Sequence, residues 1–501
     1  MATVIRLHPA DNVVIACGDL SPGAPIEASV RAVSEVPQGH KVASRALAAG
    51  EPIFRYGQVI GCAAAPIGAG EHVHTHNVVL GAACRAPAPC VGAHPIDWVR
   101  PTATFRGIVR PNGEVATRNY LGVISTVNCS ATAARRIAHT LERELEGHTT
   151  IDGVVAITHT TGCGMASDGE GMAILRRTIA GYARHPNFAG VLLLGLGCEA
   201  NQIVDLLRAS GLEASERLAT LTIQDAGGTS AAVRSGLDTL RAMVPLAELA
   251  RRTEVPVSAL TLALQCGGSD GYSGITANPA LGACVDLLVR HGGSAVLSET
   301  PELYGAEHLL TARAATPEVA EQLLARLRWW EQYAARHGNT LDNNPSPGNK
   351  AGGLTTILEK SLGAVAKGGT SNLMAVVGYA ERLTAKGLTF MDTPGYDPVS
   401  ATGQVAGGAN VMCFTTGRGS AFGCKPVPCL KLATNTALFQ RMHDDMDLDC
   451  GPIADGGATV EEIGARIYAG VLDLASGQKS RSELLDYGED EFAPWVLGAV
   501  L

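Results

Sequence analysis

The chain has 501 residues, of which 46% are hydrophobic, 17% charged and only 4% aromatic, and its formal net charge is −9. A chain of this length is too long to fold around one ordinary hydrophobic core, so we expect two to four domains. The composition excludes a disordered polymer, and a negative chain without a basic block argues against nucleic-acid binding. Thirteen widely spaced cysteines argue against a secreted disulfide framework. No signal-peptide or membrane-spanning pattern is found, so we expect a cytoplasmic protein.

The first 85 residues are predicted to form a small β-rich module. Short apolar runs at Val13–Ala16, Lys41–Ala43 and Val59–Ala63 alternate with glycine and proline, as is typical of strands joined by tight turns. A proline-rich stretch with little periodicity follows, and we assign residues 86–104 to a linker.

Strand-like apolar runs alternating with helical segments begin near residue 105. Tyr120–Val127, Val154–Thr158 and Val191–Leu196 are such runs, and their continuous apolar character is typical of parallel strands covered on both faces. A similar pattern resumes at Leu260–Gln265. The predicted fold class is therefore multidomain α/β, with a β-rich N-terminal module followed by two α/β portions at residues 105–250 and 251–501, each with a mainly parallel sheet.

Four of the apolar runs end in a polar turn that contains a cysteine. Ligands of open parallel sheets bind beyond the carboxyl ends of the strands, so these thiols are predicted to face one region. Thiolates suit iron or zinc, although any single cysteine at a strand end is more often structural. The candidate metal ligands in these turns, with one neighbouring carboxylate, are Cys129, Cys163, Cys198, Glu199 and Cys266.

Three histidines occur at alternate positions in the segment His72–Asn77. On a strand, alternate residues share one face, where imidazoles bind a divalent metal or transfer protons. We predict that His74 and His76 do so, with His72 a weaker candidate. A solvated strand edge is the alternative interpretation.

Two further loops carry cationic residues. Lys350 lies in a rigid Pro-Gly turn that lacks the spacing of a phosphate-binding loop, and Arg418 follows an apolar run, where its guanidinium can grip a carboxylate in bidentate fashion. Asp270 is a candidate base. The predicted catalytic residues are His74, His76, Asp270, Lys350 and Arg418. The predicted substrate contacts are Asn128, Ser130, Gly267, Gly268, Ser269, Asn349 and Arg418.

These motifs together resemble the altronate and galactarate dehydratases. The similar segments run nearly from end to end and include His8–Val13, Thr117–Asn119 and the four cysteine turns. The runs SGITANPALG at residues 273–282 and PSPGNKAGGLTT at residues 345–356 are the most specific. The histidine segment and the overall length resemble the altronate enzymes more closely.

The resemblance implies an N-terminal module of the SAF type and a metal-activated dehydration of an altronate-type aldonic acid to a 2-keto-3-deoxy acid and water. It implies Fe²⁺ as cofactor, with Mn²⁺ or Mg²⁺ possible, whereas an iron–sulfur cluster on the strand-end cysteines is the alternative. Galactarate dehydration, sulfite elimination from sulfolactate and non-catalytic sugar-acid binding are the competing functions. We expect a small-molecule substrate, no nucleic-acid or membrane partner, and a homo-oligomer, taken as a dimer.

Overall fold

The N-terminal module consists of short antiparallel strands, and much of its apolar core is continuous with that of the C-terminal portion. This computed structural model describes residues 3–27, 29–81 and 88–498. The core side chains include Val13, Ile53 and Ile60, which are buried. The strands of the module are β1 (Val4–Ile5), β2 (Val13–Ala16), β3 (Pro25–Glu27), β4 (Val30–Arg31), β5 (Lys41–Ala43), β6 (Pro52–Arg55), β7 (Gln58–Ala63), β8 (His72–Val73) and β9 (Val78–Val79). They pair in the orders β1-β2-β5-β8, β6-β7-β9 and β3-β4.

The middle portion is built on a parallel sheet with the order β13-β12-β14-β15, with α1 and α4 packed against one face and α2 against the other. Its strands are β10 (Thr104–Val109), β11 (Val115–Ala116), β12 (Tyr120–Ser125), β13 (Gly153–Ile157), β14 (Phe188–Gly195), β15 (Leu218–Thr222) and β16 (Arg252–Pro256). Its helices are α1 (Ala131–Glu144), α2 (Glu170–Arg184), α3 (Ile203–Ser210) and α4 (Thr229–Glu248). Because β10 and β16 pair antiparallel, the chain enters and leaves this portion side by side.

The C-terminal portion contains a parallel sheet of seven strands in the order β19-β20-β18-β17-β21-β22-β23. Its strands are β17 (Thr261–Cys266), β18 (Ser294–Leu297), β19 (Leu373–Val377), β20 (Gly387–Met391), β21 (Val411–Thr416), β22 (Cys429–Ala433) and β23 (Leu448–Asp449). Its helices are α5 (Ala277–Arg290), α6 (Glu307–Thr311), α7 (Pro317–Arg336), α8 (Pro347–Ala351), α9 (Ile357–Val365), α10 (Asp397–Ala406), α11 (Thr436–Arg441), α12 (Val460–Ala475) and α13 (Arg481–Leu484).

The predicted fold class is confirmed, since a β-rich module precedes two α/β portions with parallel sheets. The predicted end of the module and start of the linker fall on residues 82–87, outside the described residues. The described part of the linker packs along the C-terminal portion, where the Cys90 N–H donates to Thr311 O at 3.0 Å and the Val99 N–H to Arg290 O at 2.9 Å. Among the described residues, no helix is long and apolar enough to cross a membrane.

A buried ion network joins the N-terminal module to the C-terminal portion. Lys41 on β5 and Arg55 on β6 both donate to the carboxylate of Glu359 on α9, with Lys41 Nζ 2.9 Å from Glu359 Oε1. All three side chains are excluded from solvent. The Thr355 hydroxyl and N–H donate to Glu359 Oε2 at 2.6 and 2.8 Å, so the carboxylate is fully paired. Burial alone would raise the pKa of Glu359, but the two cations hold it at about 2.

We predict that Glu359→Ala destabilises the fold by about 3–5 kcal/mol, because it leaves two buried cations without a partner. Urea unfolding at neutral pH measures this. The control is Glu321→Ala on α7, whose exposed pair with Arg328 is expected to contribute less than about 1 kcal/mol. The Glu359 carboxylate has a lowered pKa, so its contribution is complete above pH 4.5 and is lost as the pH falls towards 2. Equal stability of the two variants would contradict the assignment.

Candidate functional site

Three imidazoles of the N-terminal module meet at its surface towards the C-terminal portion. His40 Nδ1 lies 3.0 Å from His72 Nε2, and the ring of His74 stacks on that of His72 with centroids 5.3 Å apart. One ring nitrogen from each of His40, His72 and His74 lies within 4.8 Å of the other two. We call these residues the histidine trio.

Strand pairing and one asparagine bring the histidine trio together. His72 on β8 pairs with Val42 on β5, and His40 directly precedes β5. The chain then turns at His74, where Asn77 Oδ1 accepts from the His74 N–H and Asn77 Nδ2 donates to His72 O, each at 2.9 Å. The prediction that all three histidines alternate along one strand was therefore wrong, because β8 ends at Val73 and the next residues form a turn.

Burial keeps the histidine trio neutral. Desolvation, followed by the charges of neighbouring His and Lys side chains, lowers the pKa of His72 to about 4 and that of His74 to about 3. His74 Nδ1 is buried and has no hydrogen-bond partner among the described residues. Neutral imidazoles with an unused nitrogen are suitable ligands for a divalent metal, so the donor set fits such an ion.

A loop of the C-terminal portion closes over the histidine trio. Ala351 O lies 3.3 Å from His40 Nε2, and Gly352 O accepts from the Gly271 N–H at 2.7 Å. Gly353 has a φ of +103°, and a Cβ at this position would lie 2.6 Å from Gly39 O. Only glycine permits this close approach of the two backbones.

Arg418, exposed after β21, is the predicted cation that faces this loop. Its Cδ lies 3.3 Å from where a Cβ on Gly352 would stand, and its Cβ lies at the same distance from the corresponding position on Gly268. Its charge helps to lower the pKa of His40, after the larger effect of burial. His40 of the histidine trio and Arg418 thus both lie next to the Ala351–Gly353 backbone.

Asp270, by contrast, is held in place by its own loop. Its carboxylate accepts from the Ser273 and Tyr272 N–H groups and from the Thr434 hydroxyl, at 2.9 to 3.1 Å. Burial raises its pKa despite these bonds. The contacts indicate that Asp270 shapes the loop that carries Gly268 and Gly271.

The remaining candidates of the C-terminal portion lie around the same loop. Lys350 is half-buried on α8, and Asn349 on the same helix donates through Nδ2 to Ser269 O at 2.9 Å. Gly267 is buried beside Asp397, whose carboxylate leaves no room for a Cβ there. His76 is exposed, with its ring centroid 5.5 Å from that of His72.

The four cysteine turns are divided between two sheets, and the expectation that all four face one region stays a prediction. Cys129, Cys163 and Cys198 follow β12, β13 and β14 of the middle portion and are exposed. Cys266 ends β17 of the other sheet and is buried. The structure therefore gives Cys266 a different set of neighbours.

Those neighbours form a buried charged cluster that the sequence did not reveal. Lys367 Nζ is 3.0 Å from Cys266 Sγ, and carboxylate oxygens of Glu302 and Glu299 lie 3.8 and 4.0 Å from the same sulfur. Burial raises the pKa of Cys266 to about 12, even though Lys367 acts to lower it. Lys360 Nζ pairs with Glu302 at 2.6 Å.

Glu199 and Ser130 are occupied by local hydrogen bonds. Glu199 accepts from the Thr126 hydroxyl at 2.9 Å and from the Gly197 N–H at 2.6 Å, and Ser130 Oγ donates to Leu194 O at 2.7 Å. Both side chains are buried. Asn128 is exposed beside Cys129.

Three models of known protein domains together match nearly the whole chain. The altronate/galactarate dehydratase SAF domain matches residues 2–81, the D-galactarate dehydratase/altronate hydrolase second domain matches residues 107–248, and the D-galactarate/altronate dehydratase C-terminal domain matches residues 257–500. The altronate dehydratase of Bacillus subtilis (strain 168) is 35% identical over 98% of each chain. The chain belongs to the galactarate/altronate dehydratase family. It is accordingly a hydro-lyase.

Two other relatives show the range of names attached to similar sequences. The galactarate dehydratase (L-threo-forming) of Escherichia coli (strain K12) is 38% identical over 95% of this chain and 94% of its own. The (2R)-sulfolactate sulfo-lyase subunit beta of Chromohalobacter salexigens is 30% identical over 77% of this chain and 96% of its own.

His40 is the member of the histidine trio to which sequence reasoning assigned no role. It lies 32 residues from His72 along the chain, and the two meet only because β5 pairs with β8. The one available signal was the polar Gly39-His40-Lys41 step directly before an apolar run.

We predict that Asn77→Ala weakens binding of a divalent metal about 10- to 100-fold, because the turn that orients His72 and His74 loses both its side-chain bonds. Titration with Co²⁺, followed by its visible absorbance, measures the affinity. The control is Asn112→Ala, an exposed turn asparagine whose side chain bonds to Glu114. Unchanged Co²⁺ affinity in Asn77→Ala would remove Asn77 from the site.

Proposed function

We propose that this enzyme dehydrates an altronate-type aldonic acid to a 2-keto-3-deoxy acid, with a divalent metal bound by the histidine trio. The observation that carries the proposal is the unpartnered, buried His74 Nδ1 within a cluster of three neutral imidazoles. Fe²⁺ is the proposed ion, with Mn²⁺ or Mg²⁺ as substitutes. The family membership supports sugar-acid dehydration, and the aldonic substrate rests on the histidine segment and the chain length.

The reaction removes one molecule of water across C2 and C3 of the substrate. A base takes the weakly acidic proton from C2, hydroxide leaves from C3 with a proton from an acid, and the resulting enol becomes the keto acid. A divalent ion on the histidine trio would supply positive charge to the substrate oxygens. The protein must otherwise hold the carboxylate and move the two protons.

Arg418 and Lys350 are suited to hold the substrate carboxylate. The Arg418 guanidinium is exposed beside the loop that closes over the histidine trio, and its planar donors match a carboxylate. Lys350 lies one residue before Ala351 in that loop. Two cations near one carboxylate also favour the negative charge that develops when C2 loses its proton.

His76 is the proposed proton carrier. Its ring is exposed and adjacent to His72, whereas His40, His72 and His74 face one another. An exposed imidazole exchanges protons with solvent between turnovers, which a group that serves as base or acid requires.

Galactarate dehydration and sulfite elimination from sulfolactate are the competing activities, because relatives with those names match most of the chain. The decisive experiment is an anaerobic screen of altronate, galactarate and sulfolactate with Fe²⁺, Mn²⁺ or Mg²⁺. Keto-acid formation from altronate supports the proposal. Turnover of galactarate alone, or sulfite release alone, overturns it.

We predict that His74→Ala lowers kcat for dehydration at least about 100-fold, since one imidazole ligand is lost. The control is His139→Ala, which removes an exposed histidine that pairs with Glu489. Keto-acid formation under anaerobic conditions with saturating Fe²⁺ measures both. Full turnover in His74→Ala would exclude the histidine trio as the metal site.

We predict that Arg418→Met raises KM about 10- to 100-fold, because a charge-assisted contact to the substrate carboxylate disappears. Arg418→Lys is expected to recover part of the loss as a point charge. Arg208→Met, which changes an exposed arginine paired with Asp205 on α3, is the control. A KM identical in Arg418→Met and the unmodified enzyme would remove Arg418 from substrate binding.

A further inference from the structure

Three exposed cysteines follow neighbouring strands of the middle portion. Cysteine is among the residue types most often buried. Of the twelve cysteines in the described residues, only Cys129, Cys163 and Cys198 are exposed, and the other nine are buried or half-buried. Exposure confined to these three points to a shared function.

The three thiols lie at one edge of one sheet. Cys129, Cys163 and Cys198 follow β12, β13 and β14, and the strand order places β12 between the other two. These strands are parallel, so their carboxyl ends meet at the same edge, with neighbours about 4.8 Å apart. The turns that carry the thiols are therefore adjacent.

Hydrogen bonds fix these turns to one another. The Asn128 N–H donates to Thr161 O at 3.0 Å, and the Asn201 N–H donates to Gly162 O at 3.1 Å. Asn201 Nδ2 completes the set with a bond to Thr126 O at 3.2 Å. A Cβ on Gly162, whose φ is +97°, would lie 2.4 Å from Thr126 O. Only glycine at position 162 therefore allows the turns after β12 and β13 to pack this closely.

Glu199 holds the turns after β12 and β14 together. Its buried carboxylate joins Thr126 after β12 to Leu196 and Gly197 after β14. Gln224 Nε2 lies 3.4 Å from Cys198 Sγ, where it donates to the sulfur. Hydrogen bonds to sulfur are a feature of iron–sulfur sites. The edge is therefore rigid and leaves the thiols as its exposed ligands.

The spacing of the thiols discriminates between one ion and a cluster. A single tetrahedral ion with metal–sulfur bonds of about 2.3 Å needs its sulfurs about 3.8 Å apart. Among the described residues, the sulfurs of Cys129, Cys163 and Cys198 do not all lie within 4.8 Å of one another. A cluster in which each thiolate binds a separate iron accepts a wider spacing.

We propose that Cys129, Cys163 and Cys198 bind an iron–sulfur cluster, one thiolate to each of three irons. A cluster with three protein ligands leaves one iron open to an oxygen ligand. This site shares no residue with the histidine trio, and its existence does not depend on the proposed dehydration.

The test is anaerobic reconstitution of the full chain with ferrous iron and sulfide, followed by desalting. We expect about four irons and four sulfides per chain, a broad visible absorbance, and a paramagnetic resonance signal on reduction. Cys129→Ser, Cys163→Ser and Cys198→Ser should each lose most of the absorbance. Cys17→Ser and Cys62→Ser, at half-buried positions, are the controls and should retain it, as should His74→Ala.

Before reconstitution, thermal unfolding of each serine variant should match that of the unmodified chain, because the replaced thiols are exposed. Three results would overturn the proposal: equal absorbance in all five cysteine variants, iron sulfide that is removed by desalting, and uptake of a single metal ion without sulfide. None of these readouts requires turnover, so failure of the dehydration proposal and failure of the cluster proposal are distinguishable.

Discussion

The buried pairing of Glu359 with Lys41 and Arg55 is the interaction on which the candidate active site depends. The module shares one apolar core with the C-terminal portion, since Ile53, Ile60 and Val73 belong to the same buried cluster as Leu362, but apolar contacts alone are not directional. Two cations from the module that converge on one carboxylate fix its orientation, since an unpaired charge at the same depth would be very costly. The same strand β5 that carries Lys41 begins beside His40, so the ion network also sets the position of the histidine trio.

Close backbone contact then completes the arrangement. The loop Ala351–Gly353 lies next to both His40 and Arg418, and glycines at Gly39 and Gly353 allow the two parts of the chain to touch. In the proposed site, the N-terminal module would supply the metal ligands and the C-terminal portion the cations for a carboxylate. A sugar acid has hydroxyl groups that suit a metal ion and a carboxylate that suits the cations. Removal of a proton next to a carboxylate builds up negative charge, which a metal ion and fixed cations together stabilise.

Local sequence patterns predicted the strands well, because apolar runs bounded by glycine and proline reflect burial directly. Val13–Ala16 and Lys41–Ala43 were predicted with their observed bounds. It was harder to predict which residues contact one another in the folded chain. His40 could not be linked to His72 without the β5–β8 pairing. Cys266 could not be separated from the other strand-end cysteines, since nothing local states which strands share a sheet. The turn after Val73 depends on the Asn77 side chain, which competes with strand geometry.

The most direct test of a metal site at the module interface is electron spin-echo spectroscopy of the enzyme loaded with Mn²⁺, a hard ion that avoids thiolate ligands. The account predicts modulation from imidazole nitrogens that is lost or reduced in His72→Ala and His74→Ala, and a further change when an aldonic acid is added. A Mn²⁺ signal without nitrogen modulation, or modulation unchanged in both variants, would contradict it.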